Sequence, residues 1–225
     1  MTEVTIGNKR ILEKLDSFVD ELFSIEGYND PQYRVHDGEF ALTNPEYYCS
    51  ESWLRHKMEN WESHIGFPDE HLSQPMTHMS TKNAEKFLAL KEKIRSDFTV
   101  ELGAMHAALT NYYPPGGFVG WHTNWNANCY QILFTWSKSG NGYFKYYDKE
   151  KDEIITIQDK PGWQCRHYYF GRKDEPDHHC WHAAYAGEER VTLAYKFTNN
   201  SIDDIMDQQA RMLRDQLIEE IESEN

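Results

Sequence analysis

Asn111-Tyr-Tyr-Pro-Pro-Gly-Gly-Phe-Val-Gly-Trp-His122-Thr-Asn124 is the stretch on which the reading of this chain turns. Its Pro-Pro-Gly-Gly turn feeds a short strand, and residues two apart on a strand share a face. His122 and Asn124 are therefore expected to aim side by side into the mouth of a β domain. Further along, Trp181-His182-Ala-Ala-Tyr-Ala-Gly-Glu-Glu-Arg190-Val-Thr192 places a second imidazole at the end of another strand, before a Gly-containing turn. Arg190 then lies on the returning strand, able to come back near the same mouth. Two imidazoles and an oxygen donor on one face leave the opposite coordination positions open, which is what an oxygen-activating Fe(II) site needs.

Around these stretches the pattern is that of many short strands. From about residue 98, runs rich in β-branched and aromatic residues cover 107–113, 130–136, 142–147, 153–158, 164–170 and 190–197. Turn signals separate them: Ser139-Gly-Asn-Gly142, Asp159-Lys-Pro-Gly162 and Ala186-Gly187. Such spacing predicts a sandwich, jelly roll or barrel. Ahead of it, Ile11, Leu12, Leu15, Phe18, Val19, Leu22 and Phe23 recur at helical steps and predict an amphipathic helix over 7–25. A second helix is expected over 81–97, with irregular, aromatic chain between. An acidic helix over 203–222, with a stripe through Leu213, Leu217 and Ile221, closes the chain. The organisation expected is a mainly β core over 98–200, a helical and irregular flank over 1–97 and a C-terminal acidic helix over 201–225.

The net charge of −14 is carried mainly by the ends. Residues 1–30 hold seven acids against three bases and residues 201–225 eight against two, whereas 97–200 is close to balance, with 12 and ten. Solvated helix faces account for that acidity. It argues against gripping nucleic acid through phosphates alone, although a local basic groove stays open. Cys49, Cys129, Cys165 and Cys180 follow no disulfide-framework spacing, and no signal peptide or membrane-length apolar run is visible. Free thiols in the cytosol are the expectation. Phosphate-binding glycine loops and the G-x-S-x-G elbow are absent.

Taken in order, these residues resemble the Fe(II)/2-oxoglutarate-dependent dioxygenase superfamily, in its prolyl-4-hydroxylase-like and AlkB-like branches. The resemblance covers roughly residues 98–198 and implies a double-stranded β-helix, the jelly-roll core shared with cupins. It implies His122 as first metal ligand, His182 as distal ligand and Arg190 as the partner of the co-substrate's far carboxylate. Thr192 matches the hydroxyl residue two positions on, Tyr113 the strand tyrosine that contacts 2-oxoglutarate, and Asn111 the Asn of an Asn-x-Tyr pair. The implied activity is oxidation of a small-molecule or peptidyl substrate, most commonly its hydroxylation, with 2-oxoglutarate decarboxylated to succinate.

The family's metal-binding aspartate is here Asn124. An amide oxygen is a neutral donor and binds a hard dication less strongly than a carboxylate. Three readings stay open: Asn124 ligates through its oxygen; it leaves the position to water or halide while another carboxylate, such as Asp148, compensates; or the domain is a non-catalytic binding module. A cupin-like metalloenzyme that uses no 2-oxoglutarate is a further alternative, against which Arg190 and Thr192 speak. A second Cys/His cluster, Cys165-x-His167 with His178-His-Cys180-x-His182, competes as a zinc site, and His179 rivals His182. Its spacing fits no paired zinc pattern.

Overall fold

The computed structural model describes residues 1–29, 44–60, 66–75, 83–102, 106–124, 130–171, 175–197 and 204–224. In chain order the elements are β1 (Thr2–Val4), α1 (Lys9–Ser24), α2 (Pro45–Tyr48), α3 (Glu51–Asn60), β2 (His71–Leu72), β3 (Gln74–Pro75) and α4 (Ala84–Leu102). There follow β4 (His106–Tyr113), β5 (Gly117–His122), β6 (Tyr130–Ser137), β7 (Gly142–Asp148), β8 (Glu153–Gln158), β9 (Gly162–Tyr169), β10 (His182–Ala186), β11 (Arg190–Lys196) and α5 (Asp204–Glu222).

Strand β11 shows how the layers arise. All seven of its residues are buried, because both faces are covered. Val191, Leu193 and Tyr195 point outward, into a cluster that Leu15 and Leu22 of α1, Phe87 and Ile94 of α4 and Leu217 of α5 complete. Arg190, Thr192 and Ala194 point the other way and line a cavity. The strands pair antiparallel into a six-stranded sheet, β1-β9-β6-β11-β4-β3, and a five-stranded sheet, β2-β5-β10-β7-β8. From β4 to β11 successive strands alternate between the two sheets except for the β7–β8 hairpin, the pairs β4/β11 and β5/β10 lie side by side, and this is a double-stranded β-helix. Helices α1, α4 and α5 cover the larger sheet, while α2 and α3 cover the smaller one through Cys49, Leu54, Phe118, Trp121 and Trp181.

The N-terminal flank is more than an irregular collar. β1 adds to β9, β2 to β5 and β3 to β4, so residues before 98 extend both sheets. The helix expected to end at residue 97 runs on to Leu102. Its expected cap at Thr81 lies outside the described residues, as do Trp125 and Cys129. Helix α1 is capped by Asn8, whose side chain accepts from the Ile11 N–H at 3.1 Å.

The register shifts in β4, opposite Ala194 and Tyr195 of β11, and in β5, and the shift in β5 is the one that shapes the site. Opposite β10, His122 faces His182, but Val119 faces Ala184, so β5 carries one extra residue between them. This bulge turns His122 onto the inner face that Val119 occupies. Trp121 is sent to the outer face, where it is fully buried and its Nε1 donates to the Ser50 carbonyl at 2.8 Å. His182 also sits at the start of its strand rather than the end expected from sequence.

Gly120 makes the bulge possible. Its N–H donates to the Glu70 carbonyl at 2.8 Å, and a Cβ there would meet that same oxygen at 2.9 Å. Gly120→Ala is expected to destabilise the protein by about 1–3 kcal/mol through backbone displacement. Urea denaturation measures it, and a variant as stable as wild type would show that the segment ahead of β2 yields freely.

Candidate active site

His122 and His182 reach the cavity from neighbouring strands, directly opposite each other, with ring centroids 4.1 Å apart and planes at 50°. Each is fixed in the same way. Nδ1 of His122 bonds the Gly120 carbonyl at 2.9 Å, and Nδ1 of His182 bonds the Cys180 carbonyl at 2.9 Å. A carbonyl only accepts, so both Nδ1 atoms carry the proton and, in the neutral rings, both Nε2 atoms hold a lone pair. Burial lowers the His122 pKa well below the usual value, and the neighbouring His182 lowers it further. Burial likewise takes His182 down to about 4. The pair is therefore neutral at physiological pH, oriented and ready to ligate, the state in which imidazole binds metals.

Asn124 follows β5 and lines the same cavity. No acidic side chain does so among the described residues. Asp148, considered from sequence as a compensating carboxylate, is spent elsewhere: it accepts from the Glu150 and Lys151 N–H groups in the β7–β8 turn and pairs with the Lys151 ammonium at 3.1 Å. The rival zinc cluster is not assembled. Cys165 and Cys180 fall in different clusters, and no group of three His, Cys, Asp or Glu residues among those described could hold a metal ion. His179 is buried ahead of β10 but does not line the cavity.

The cavity has a volume of about 150 Å³. Val119, Phe144, Phe170 and Ala184 form its apolar walls, and Phe67 stands at its edge, 6.1 Å from the His122 ring. Arg190, Thr192 and Tyr113 line it as well. The Arg190 guanidinium lies 4.9 Å over the Tyr113 ring, and its Nη1 donates to Thr192 Oγ1 at 2.8 Å. Its Nε donates to Asp159 Oδ2, also at 2.8 Å, in an ion pair with both side chains almost wholly buried. Asn111 lies opposite Thr192 in the β4–β11 pairing. It is fully buried, and neither of its amide atoms has a hydrogen-bond partner among the described residues.

Sequence reasoning missed two of these groups, Asp159 and a second arginine, Arg166 on β9, which also lines the cavity. The signal for Arg166 was its alternation with Cys165. The sequence reads as an apolar core side and a polar solvent side, whereas here the polar side faces inward.

No family model matches the chain, and no curated protein does. Solved structures that superpose on part of it include OsALKBH1, at 14% identity over 48% of this chain and 58% of that one, with a TM-score of 0.30. Another is YcfD, a ribosomal oxygenase from Escherichia coli, at 21% identity over 40% and 23%, TM-score 0.27. Recombinant oxalate oxidase in complex with glycolate gives 9% identity over 40% of each chain, TM-score 0.29. The chain thus spans little more than half the length of these structures at most, and likeness at this level transfers no chemistry.

The lowered histidine pKa gives a pH signature to the metal-free protein. Unfolded His182 takes up a proton below about pH 6.5, while the folded state resists it until about 4. Between those values the unfolded state binds more protons, so stability rises with pH and falls on acidification. His182→Asn, whose amide nitrogen can replace Nδ1 on the Cys180 carbonyl, is expected to remove about 1–2 kcal/mol of the stability lost between pH 6.5 and pH 5. Thermal unfolding at those two pH values in chelator measures the difference, and parallel pH profiles for the two proteins would contradict it.

Proposed function

We propose that this protein is an Fe(II)- and 2-oxoglutarate-dependent oxygenase that hydroxylates a small-molecule or peptidyl substrate. The observation carrying this reading is the pair of neutral, backbone-oriented imidazoles facing one cavity that also holds buried guanidinium, hydroxyl and phenol groups. The donor chemistry fits the metal. Nε2 of His122 and Nε2 of His182 would hold Fe(II), with the side-chain oxygen of Asn124 as third donor, a set of two imidazoles and one oxygen that suits ferrous iron. The orphaned amide of buried Asn111 fits a polar ligand inside the β-helix.

When bound, Fe(II) and 2-oxoglutarate supply the oxidising chemistry, with decarboxylation of the co-substrate to succinate. The protein's own groups bind and orient. The Gly120 and Cys180 carbonyls hold the Nδ1 protons, so the lone pairs stay directed into the cavity. The guanidinium and hydroxyl groups on the cavity wall present donors suited to a carboxylate, and the aromatic and aliphatic walls exclude water. The buried free thiols Cys49, Cys165 and Cys180 suit a reducing compartment such as the cytosol.

Anaerobic titration with Fe(II) and 2-oxoglutarate, followed by the visible charge-transfer absorption, tests the proposal, and admitting air then allows succinate to be measured. Wild type is expected to develop the band and form succinate. His122→Ala and His182→Ala should lose the band while remaining folded, and Asn124→Asp should bind Fe(II) more tightly. Wild type that takes no iron, beside an Asn124→Asp form that gains both iron and turnover, would mark a degenerate site and a binding module. Iron binding with no response to 2-oxoglutarate would favour a cupin-type metalloenzyme.

A further inference from the structure

One charge on the cavity wall has no counter-charge among the described residues. Arg166 is only 4% exposed, and its Nη2 donates to the neutral Gln164 side chain at 2.8 Å. No carboxylate lies within ion-pair distance of it among the described residues. Its nearest acids are taken: Asp159 pairs with Arg190, and Glu3 pairs with Lys160 at the surface. Burial and the nearby positive Arg190 both weaken its hold on the proton, whereas Asp159 and Glu3 only partly offset them. Proteins avoid buried, unpaired charge because desolvation is expensive, unless a ligand supplies the partner. The contrast with Arg190 is direct, since that residue's charge is already met by Asp159 and one of its donors by Thr192.

We infer that Arg166, steadied by Gln164, is the anion anchor of this cavity and receives the far carboxylate of the bound 2-oxo acid. Arg190, neutralised by Asp159, is a positioning residue that aligns Thr192 and Tyr113 beside it. Among the described residues that line the cavity, the guanidinium groups are those of Arg166 and Arg190, no carboxylate joins them, and Asp159 cancels the charge of Arg190. The surplus is one positive charge, and a guanidinium offers a carboxylate two parallel donors. The identity of the ligand as a 2-oxo dicarboxylate rests on the function proposed above; the anion site itself does not.

The test compares two 2-oxo acids on the Fe(II)-loaded protein: 2-oxoglutarate, which has a far carboxylate, and 2-oxobutyrate, which lacks one. Calorimetric titration is run on wild type, Arg166→Gln, Arg166→Lys and Asp159→Asn. Arg166→Gln is expected to weaken 2-oxoglutarate by about 30-fold or more while leaving 2-oxobutyrate and Fe(II) binding unchanged. Arg166→Lys, which keeps the charge but not the planar fork, should recover part of that loss. Asp159→Asn, which frees Arg190, should tighten 2-oxoglutarate. In the metal-free protein without ligand, Arg166→Gln should unfold at a temperature equal to or above that of wild type, because it removes an unpaired buried charge. An unchanged preference for 2-oxoglutarate in Arg166→Gln overturns the inference. If wild type binds neither 2-oxo acid, the proposed function fails, and succinate titrated into metal-free protein then reads the anion site alone. Succinate binding that is lost in Arg166→Gln upholds Arg166, and equal succinate binding in both proteins rejects it.

Discussion

The pairing of β10 between β5 and β7 is the constraint on which the site depends. β10 is hydrogen-bonded on both sides, so it cannot slide without breaking two ladders, and its first residue, His182, is pinned opposite both His122 and Tyr146. Because side chains alternate along a strand, a slip of one residue would turn His182 out of the cavity. The extra residue in β5 sets His122 on the matching face, and Gly120, at the bulge, supplies the carbonyl that fixes its tautomer. Backbone geometry thus does two jobs at once: it brings the imidazoles together and leaves both Nε2 atoms as the free donors. The outer packing of Trp121 against the chain around Ser50 then holds the bulge from behind.

A second constraint is electrostatic. The space between the sheets is dry enough to keep both histidines neutral, so any full charge kept there must be compensated. The β8–β9 turn provides compensation for Arg190. Asp159 is brought inward because its N–H donates to the Gly142 carbonyl at 2.9 Å, and Gly142 leaves room: a Cβ there would lie 2.6 Å from Asp159 Oδ2. Turn, glycine and arginine form one unit that closes the end of the β-helix where β11 begins. Arg166 receives no such help, which is why its burial calls for a ligand and that of Arg190 does not.

Much of the architecture was legible in the chain. The runs chosen as strands fall on β4, β6, β7, β8, β9 and β11 to within about two residues at each end, and the helical stripes through Leu15 and Leu217 are α1 and α5. These elements announce themselves because one face of each is apolar for local reasons. The flanking strands did not: β1, β2 and β3 have two or three residues each, too few to show a period, and they exist only because sheet edges accept them. The bulge was illegible for a similar reason, since Val-Gly-Trp-His reads as ordinary alternation until Glu70 is seen to bond Gly120. At the site, His122, Asn124, Tyr113, Arg190 and Thr192 all line one cavity, while Asn111 stands beside it. Arg166 escaped notice because polar residues on alternate strand positions normally face solvent, and Asp159 because it reads as part of a turn. Here helices cover the outer face with apolar side chains and the inner cavity takes polar groups as well, so the usual rule inverts.

Two features of the cavity act in the same direction. The neutral amide of Asn124 brings no negative charge near the imidazoles, and Arg166 adds a positive one on the same cavity's wall. With Arg190 balanced by Asp159, no negative side chain among the described residues lines the cavity to meet either a metal dication or Arg166. Whatever binds there must bring that charge itself. A neutral ligand would leave the cations buried and uncompensated, whereas a dianion satisfies both ends of the cavity in one molecule. Under the function proposed above, the neutral amide of Asn124 would shift the electrostatic burden from the protein to the bound acid, so that metal and acid would stabilise each other.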